Sequence, residues 1–155
     1  MDSIREPTLQ VRRQSDVEGR RGVVDGQMYQ TLVGVDPWPT DRVRVGRASY
    51  QPNTLEPLHW HPVEAFYYVL AGHATVRDLA GTEFEVEAGS FIYAPAGLRG
   101  AHEWQVKEAL ELLDIRATNV TRRKMQFTVD RETLRSYIDI DELARRDGLS
   151  FDSLY

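Results

Sequence analysis

Residues 57–64 read Pro-Leu-His-Trp-His-Pro-Val-Glu, and the spacing of His59 and His61 decides how the rest of the chain is read. Successive side chains on a β-strand point to opposite faces, so histidines two positions apart turn both imidazoles to the same side. That is the spacing of a pair of metal ligands. Half-buried histidines satisfied by hydrogen bonds are commoner than ligands, so the pair gains meaning only from its surroundings. Glu64 follows at once. Farther on, Ala94-Pro95-Ala96-Gly97 forms a turn that delivers a strand carrying His102, from which a third imidazole can converge.

Outward from this segment the chain breaks into short runs rich in β-branched and aromatic residues, many of them separated by turn formers. Strands are predicted over 29–35, 43–51, 56–61, 65–70, 74–77, 83–86, 91–94, 101–106, 110–115 and 125–129. Ala71-Gly72 and Ala80-Gly81 read as hairpin turns, with a further reversal through Ala88-Gly89-Ser90. The expectation is an all-β sandwich or barrel with antiparallel pairing. The C-terminal tail differs. Asp139 can cap a short α-helix with Glu142 at its third position and Gly148 at its end. Its stripe of Ile140, Leu143 and Ala144 is suited to pack on the barrel wall or on a second subunit, and Phe151, Leu154 and Tyr155 are expected to be docked beyond it.

The 155 residues suit a single domain, 1–155, able to bury its own core, with a barrel over about 29–129 and a tail over 130–155. With no cysteine, disulfides, thiolate ligands and cysteine nucleophiles are excluded, and any metal must be held by nitrogen and oxygen. A formal charge of -5 argues against nucleic acid, whose binding needs concentrated Lys and Arg. Small molecules are the expected partners. Residues 1–21 mix acids with arginines and contain no apolar run, unlike a signal or transit peptide, so a cytoplasmic location is expected. No stretch approaches the roughly 20 apolar residues that span a bilayer.

The motif around these histidines is similar to that of the cupin superfamily: a glycine, five residues, His-x-His, three or four residues, a glutamate, six residues and a glycine. His59, His61 and Gly72 fall in place. Asn53 stands where the first glycine belongs, and Asn also enters left-handed backbone geometry. The glutamate slot holds Ala65, with Glu64 adjacent, and a one-residue shift turns a strand side chain to the opposite face unless a bulge intervenes. The second motif is met by Gly89, Pro95 and Gly97, but its histidine slot holds Gly100. His102 lies two residues farther on, which a longer loop through Leu98-Arg99-Gly100 can absorb. The resemblance covers residues 50–115 and implies a jelly-roll barrel, or double-stranded β-helix, with one divalent metal on His59, His61 and His102 and Glu64 as a candidate fourth ligand.

Imidazole ligands suit Fe(II), Zn, Ni, Cu and Mn. Three histidines without a carboxylate resemble the sites of diketone-cleaving and thiol-oxidising cupin dioxygenases, which favours Fe(II) and a dioxygenase acting on a small aromatic or carbonyl-containing molecule. The alternatives are a non-redox metal-dependent cyclase or isomerase, and a ligand-binding cupin without catalysis. Tyr67, if it shares the face of Ala65, could orient a substrate oxygen or donate a proton, and Arg99 could pair with a carboxylate or enolate. Trp60, Phe66, Tyr67, Tyr68, Phe91, Tyr93 and Trp104 are aromatic candidates for the cavity wall, divided between faces by parity. His73 alternates with Ala74 onto a polar face. The four-histidine sites of some cupin polyketide cyclases make it a conceivable ligand, but strand length carries it away from the His59 end. Edge strands that need cover, the extra terminal segments and the resemblance to dimeric cupins together predict a homodimer.

Overall fold

The computed structural model describes residues 8–35, 37–117 and 126–138. Within them the chain runs through β1 (Arg20–Arg21), β2 (Gln27–Val33), β3 (Arg44–Tyr50), β4 (Leu55–Trp60), β5 (Ala65–Asp78), β6 (Glu83–Glu87), β7 (Phe91–Ala94), β8 (His102–Arg116), β9 (Phe127–Val129) and β10 (Ser136–Tyr137). The pairing is antiparallel throughout. The spatial order is β1-β2-β3-β8-β4-β9-β10, with β5 joined to β8 and carrying β6 and β7. One curled sheet closes in this way into a jelly-roll barrel.

Two strands do the curling. β8 pairs with β4 through its first residues and with β3 through its last, and β5 follows it from Asp78↔His102 to Ala65↔Arg116. A strand of that length must bend to serve both layers, and the bend needs irregular pairing. The register of β5 against β8 shifts three times between Val69 and Ala74. At the centre of this stretch Gly72 has φ +89, and a Cβ there would lie 2.1 Å from the carbonyl oxygen of Ala109. Only glycine fits. Ala71-Gly72 is therefore not the hairpin turn that its composition suggests but the kink of one continuous strand, and the runs at 65–70 and 74–77 are its two halves. Likewise 101–106 and 110–115 are halves of β8.

The other turns behave as expected. Thr82 N and Gly81 N both donate to Asp78, at its Oδ1 and its carbonyl respectively, and Gly89, with φ +92, turns β6 into β7. Asn53 has φ +67, the left-handed geometry that lets it replace a glycine. The core alternates cleanly: on β8, His102, Trp104 and Val106, then Leu110, Leu112, Asp114 and Arg116, face inward. Trp104, Leu110, Leu112 and Val69 are all at most 1% exposed, each aliphatic side chain contributing about 1.5–3 kcal/mol by burial. The C-terminal helix expected from Asp139 to Gly148 lies outside the described residues, as does Met125 at the start of the strand expected there. Among the described residues no helix is long and apolar enough to cross a membrane.

Candidate metal centre

Two short stretches of chain bring three imidazoles into the barrel interior. His59 and His102 are direct cross-strand partners. The displacement of His102 from its motif position is absorbed by a single 3-10 turn at Leu98–Gly100, closed by hydrogen bonds from Gly100 N to Gly97 O and from Ala101 N to Leu98 O. Gly100 packs so closely that a Cβ would stand 1.8 Å from the Pro95 carbonyl oxygen. Gly97 N in turn donates to His61 O at 2.8 Å, which ties this loop to the third histidine. His59, His61 and His102 are 1%, 4% and 4% exposed, and one potential ligand atom from each lies within 4.8 Å of the others.

These side chains suit a divalent ion. Nδ1 of His59 is 2.6 Å from Pro57 O and Nδ1 of His102 is 2.7 Å from Gly100 O. A carbonyl only accepts, so both protons reside on Nδ1 and both Nε2 lone pairs face the interior, the tautomer that a metal requires. Burial pushes His59 down to about 4. It pushes His102 down to about 3, with the neighbouring His59 adding to the effect. Both rings are thus neutral near pH 7.

Polar groups surround the cluster. The Tyr67 hydroxyl donates to Nε2 of His102 at 3.1 Å, and burial holds that phenol well above its ordinary pKa, hence protonated. Behind it the Arg116 guanidinium lies 5.7 Å from the centre of the Tyr67 ring and grips Asp114 through two bonds of 2.7 and 3.0 Å. Burial opposes the Arg116 charge, but Asp114 outweighs it and raises the pKa above the usual arginine range. Glu56, 4% exposed, stands with Oε1 3.6 Å from His59 Nε2. Its Oε2 accepts from the Tyr50 hydroxyl at 2.8 Å. Burial raises the Glu56 carboxyl, with the Tyr50 bond working against the rise.

Residues 46–116 match the family model for the cupin domain. That stretch is a cupin domain. Among solved structures the chain is similar to the polyketide cyclase RemF from Streptomyces resistomycificus, at 20% identity over 95% of this chain and 91% of that one, with a TM-score of 0.65. It is also similar to the DMSP lyase DddQ from Ruegeria pomeroyi DSS-3, at 18% identity over 69% of this chain and 59% of that one, TM-score 0.61. The oxalate decarboxylase from Bacillus subtilis matches at 22% identity over 74% of this chain and 30% of that one, TM-score 0.56. At these identities the likeness is one of fold. No curated protein matches the chain.

Within the cupin barrel the residues singled out by sequence separate into two groups. His59, His61, His102 and Tyr67 meet in the interior. Glu64 does not join them: it is exposed and accepts from the Tyr93 hydroxyl at 2.9 Å on the outer surface. No bulge rescues its parity, and Ala65, fully buried, holds the inward position. Arg99 is exposed on the 3-10 turn, so the arginine that faces the interior is Arg116. His73 lies on the β5–β6 surface with Nε2 2.7 Å from Glu85. Of the aromatic candidates only Tyr67 and Trp104 point inward and are buried. Phe66, Tyr68, Phe91 and Tyr93 cluster on the opposite face of β5 and β7, and Trp60 stacks on Phe127 at 4.2 Å.

Sequence reading missed Glu56. Strict alternation sets position 56 on the face opposite to 59, but β4 carries a bulge: Glu56 pairs with Trp104 and His59 with His102, three residues against two. Trp104 and His102 share a face, so Glu56 and His59 share it too. Pro57, which cannot donate to a ladder, was the available signal.

Proposed function

We propose that this protein is a metal-dependent cupin enzyme that promotes a non-redox cyclisation or isomerisation of a small molecule rich in carbonyl groups. The observation that carries this reading is the convergence of three buried imidazoles, His59 and His102 neutral among them, with a protonated phenol, Tyr67, at His102. The near end-to-end likeness to a polyketide cyclase supports it. A divalent ion held by His59, His61 and His102 would polarise a carbonyl oxygen as a Lewis acid.

The chain's own groups suit the remaining tasks. Tyr67, once the His102 lone pair is engaged elsewhere, has a hydroxyl available to donate to a substrate oxygen. Arg116, paired with Asp114, backs the Tyr67 ring and helps to fix the orientation of its hydroxyl. The buried walls of Trp104 and Val106 exclude water, which strengthens each of these interactions. A second reading, an Fe(II) dioxygenase, draws on the absence of a glutamate at position 65. The two differ in product mass. The full chain, loaded in turn with Zn(II) and anaerobically with Fe(II), is incubated with a 1,3-diketone and a linear poly-β-ketone while dissolved oxygen is followed. The expected product is an isomer of the substrate or its dehydrated ring, formed with Zn(II) and without oxygen uptake. A product that has gained two oxygen atoms, formed only with Fe(II), would replace the cyclase reading by the dioxygenase.

A further inference from the structure

We propose that Glu56 supplies the fourth protein ligand of the metal centre, an oxygen donor from β4 in place of the glutamate that the family motif sets at position 65. The inference rests on the three-histidine reading and deepens it. Position 65 is closed to this role, because Ala65 is fully buried with only a methyl group to offer. Glu56 fills the gap from another direction. Its Oε1 stands 3.6 Å from His59 Nε2, at the His59 edge of the cluster and outside the set of donor atoms mutually within 4.8 Å.

Orientation and charge both favour this assignment. Oε2 is fixed by the Tyr50 hydroxyl at 2.8 Å, which is itself held by Gln27 Nε2 at 2.7 Å, while Gln27 Oε1 accepts from Val23 N at 2.7 Å. Tyr50 and Gln27 are themselves buried. A ligating carboxylate is ordinarily steered by such a partner on its non-ligating oxygen. The hydrogen bonds that Glu56 accepts, from Tyr50 and from Gln126 at 3.4 Å, come from neutral groups. Arg116 acts on Glu56 without a hydrogen bond to it, a buried carboxylate is costly unless closely paired, and a divalent ion on the histidine cluster is the complementary charge at contact distance. The bulge at Pro57 and Leu58 gains a purpose on this view: it turns Glu56 to the histidine face.

The test uses the full chain, stripped with chelator and titrated with Co(II), alongside Glu56→Gln, which keeps the shape and the acceptor for Tyr50. The readouts are the visible ligand-field spectrum of bound Co(II) and the affinity for Zn(II) by chelator competition. The expected result is stoichiometric binding by the parent chain, and in Glu56→Gln an altered Co(II) spectrum with Zn(II) affinity lower by about 100-fold or more. Should the amide prevent folding, Glu56→Asp, which keeps the charge but withdraws it by one methylene, is read in the same way. An unchanged Co(II) spectrum in the folded variant overturns the assignment and leaves the three-histidine site standing. Failure of the parent chain to bind Co(II) overturns both.

Discussion

The barrel contains the same pair of side chains in two settings. In the interior His59 and Glu56 stand 3.6 Å apart with side chains 2% and 5% exposed, and on the β5–β6 surface His73 and Glu85 stand 2.7 Å apart at 34% and 53%. Glutamate–tyrosine contacts repeat the contrast, Glu56 with Tyr50 at 2.8 Å inside and Glu64 with Tyr93 at 2.9 Å outside. By distance alone the surface histidine pair is the closer. Burial reverses the ranking of consequences. Water solvates Glu85, which also draws on Thr75 and Lys107 and is held below the usual carboxylate range. Desolvation instead keeps His59 neutral and drives Glu56 toward its protonated form. Interior groups therefore need a partner that the outer ones do not, and an ion is such a partner.

The sharpest way to break the contrast is to delete one histidine from each setting. His61→Ala is expected to abolish stoichiometric metal, whereas His73→Ala and Glu64→Gln leave it intact, as read by elemental analysis of protein purified without chelator. Full metal in the His61 variant, or its loss in the His73 variant, would invert the assignment of inside and outside.

A second comparison sets the buried Arg116–Asp114 pair against the exposed Arg77–Glu83 pair. Asp114→Ala strands a guanidinium that is 8% exposed and is expected to cost about 3–5 kcal/mol in denaturant unfolding. Replacing both partners, Arg116→Met with Asp114→Leu, should cost less than the single change, because no uncompensated charge remains. Glu83→Ala, on the solvated side, is expected to leave the midpoint unmoved. Equal losses in the interior and surface single variants would mean that burial is not what distinguishes the pairs.

The smallest effect is one of pH. An unfolded chain protonates its histidines near 6.5, whereas His59 and His102 do so at about 4 and about 3 in the barrel. Between those values the unfolded state binds more protons, so the stability is present above about pH 6.5 and is lost as pH falls toward 4. Glu56, raised by burial, works in the opposite sense at the acid end and blunts the loss. Thermal melts of metal-free protein should decline from about pH 6.5 downward, and bound metal should raise the midpoint without removing that slope, because it keeps the imidazoles unprotonated in the folded chain alone. A metal-free midpoint independent of pH across that interval would contradict the neutral, buried state of the two rings.

Much of the site was legible because it obeys simple periodicity. His59 and His61 share a face by parity, Asn53 and Gly89 announce their turns, and the extra residues before His102 are taken up by the loop that their composition suggests. The misreadings share a cause, which is that local composition does not report curvature. Ala71-Gly72 has the residues of a hairpin yet is a kink, because Ala109 on the facing strand leaves room only for a hydrogen atom. Glu64 looked nearest to the motif and Arg99 nearest to His102, but both point to solvent.

Taken by itself, then, the sequence determined the all-β class and the shared face of His59 and His61, which follow from alternation along single strands and from residues that favour particular turns. His102 as third partner came with the resemblance to the cupin motif, and Tyr67 was a conditional candidate. Which carboxylate and which arginine face those imidazoles was decided by tertiary structure. The bulge that rotates Glu56 inward exists only through its register against β8. Arg116, fourteen residues beyond His102 in the chain, reaches the same interior because β5 and β8 curl together. Both are matters of pairing between distant segments, and the energy that sets them, the burial of one strand's side chains against another's, is absent until the barrel closes.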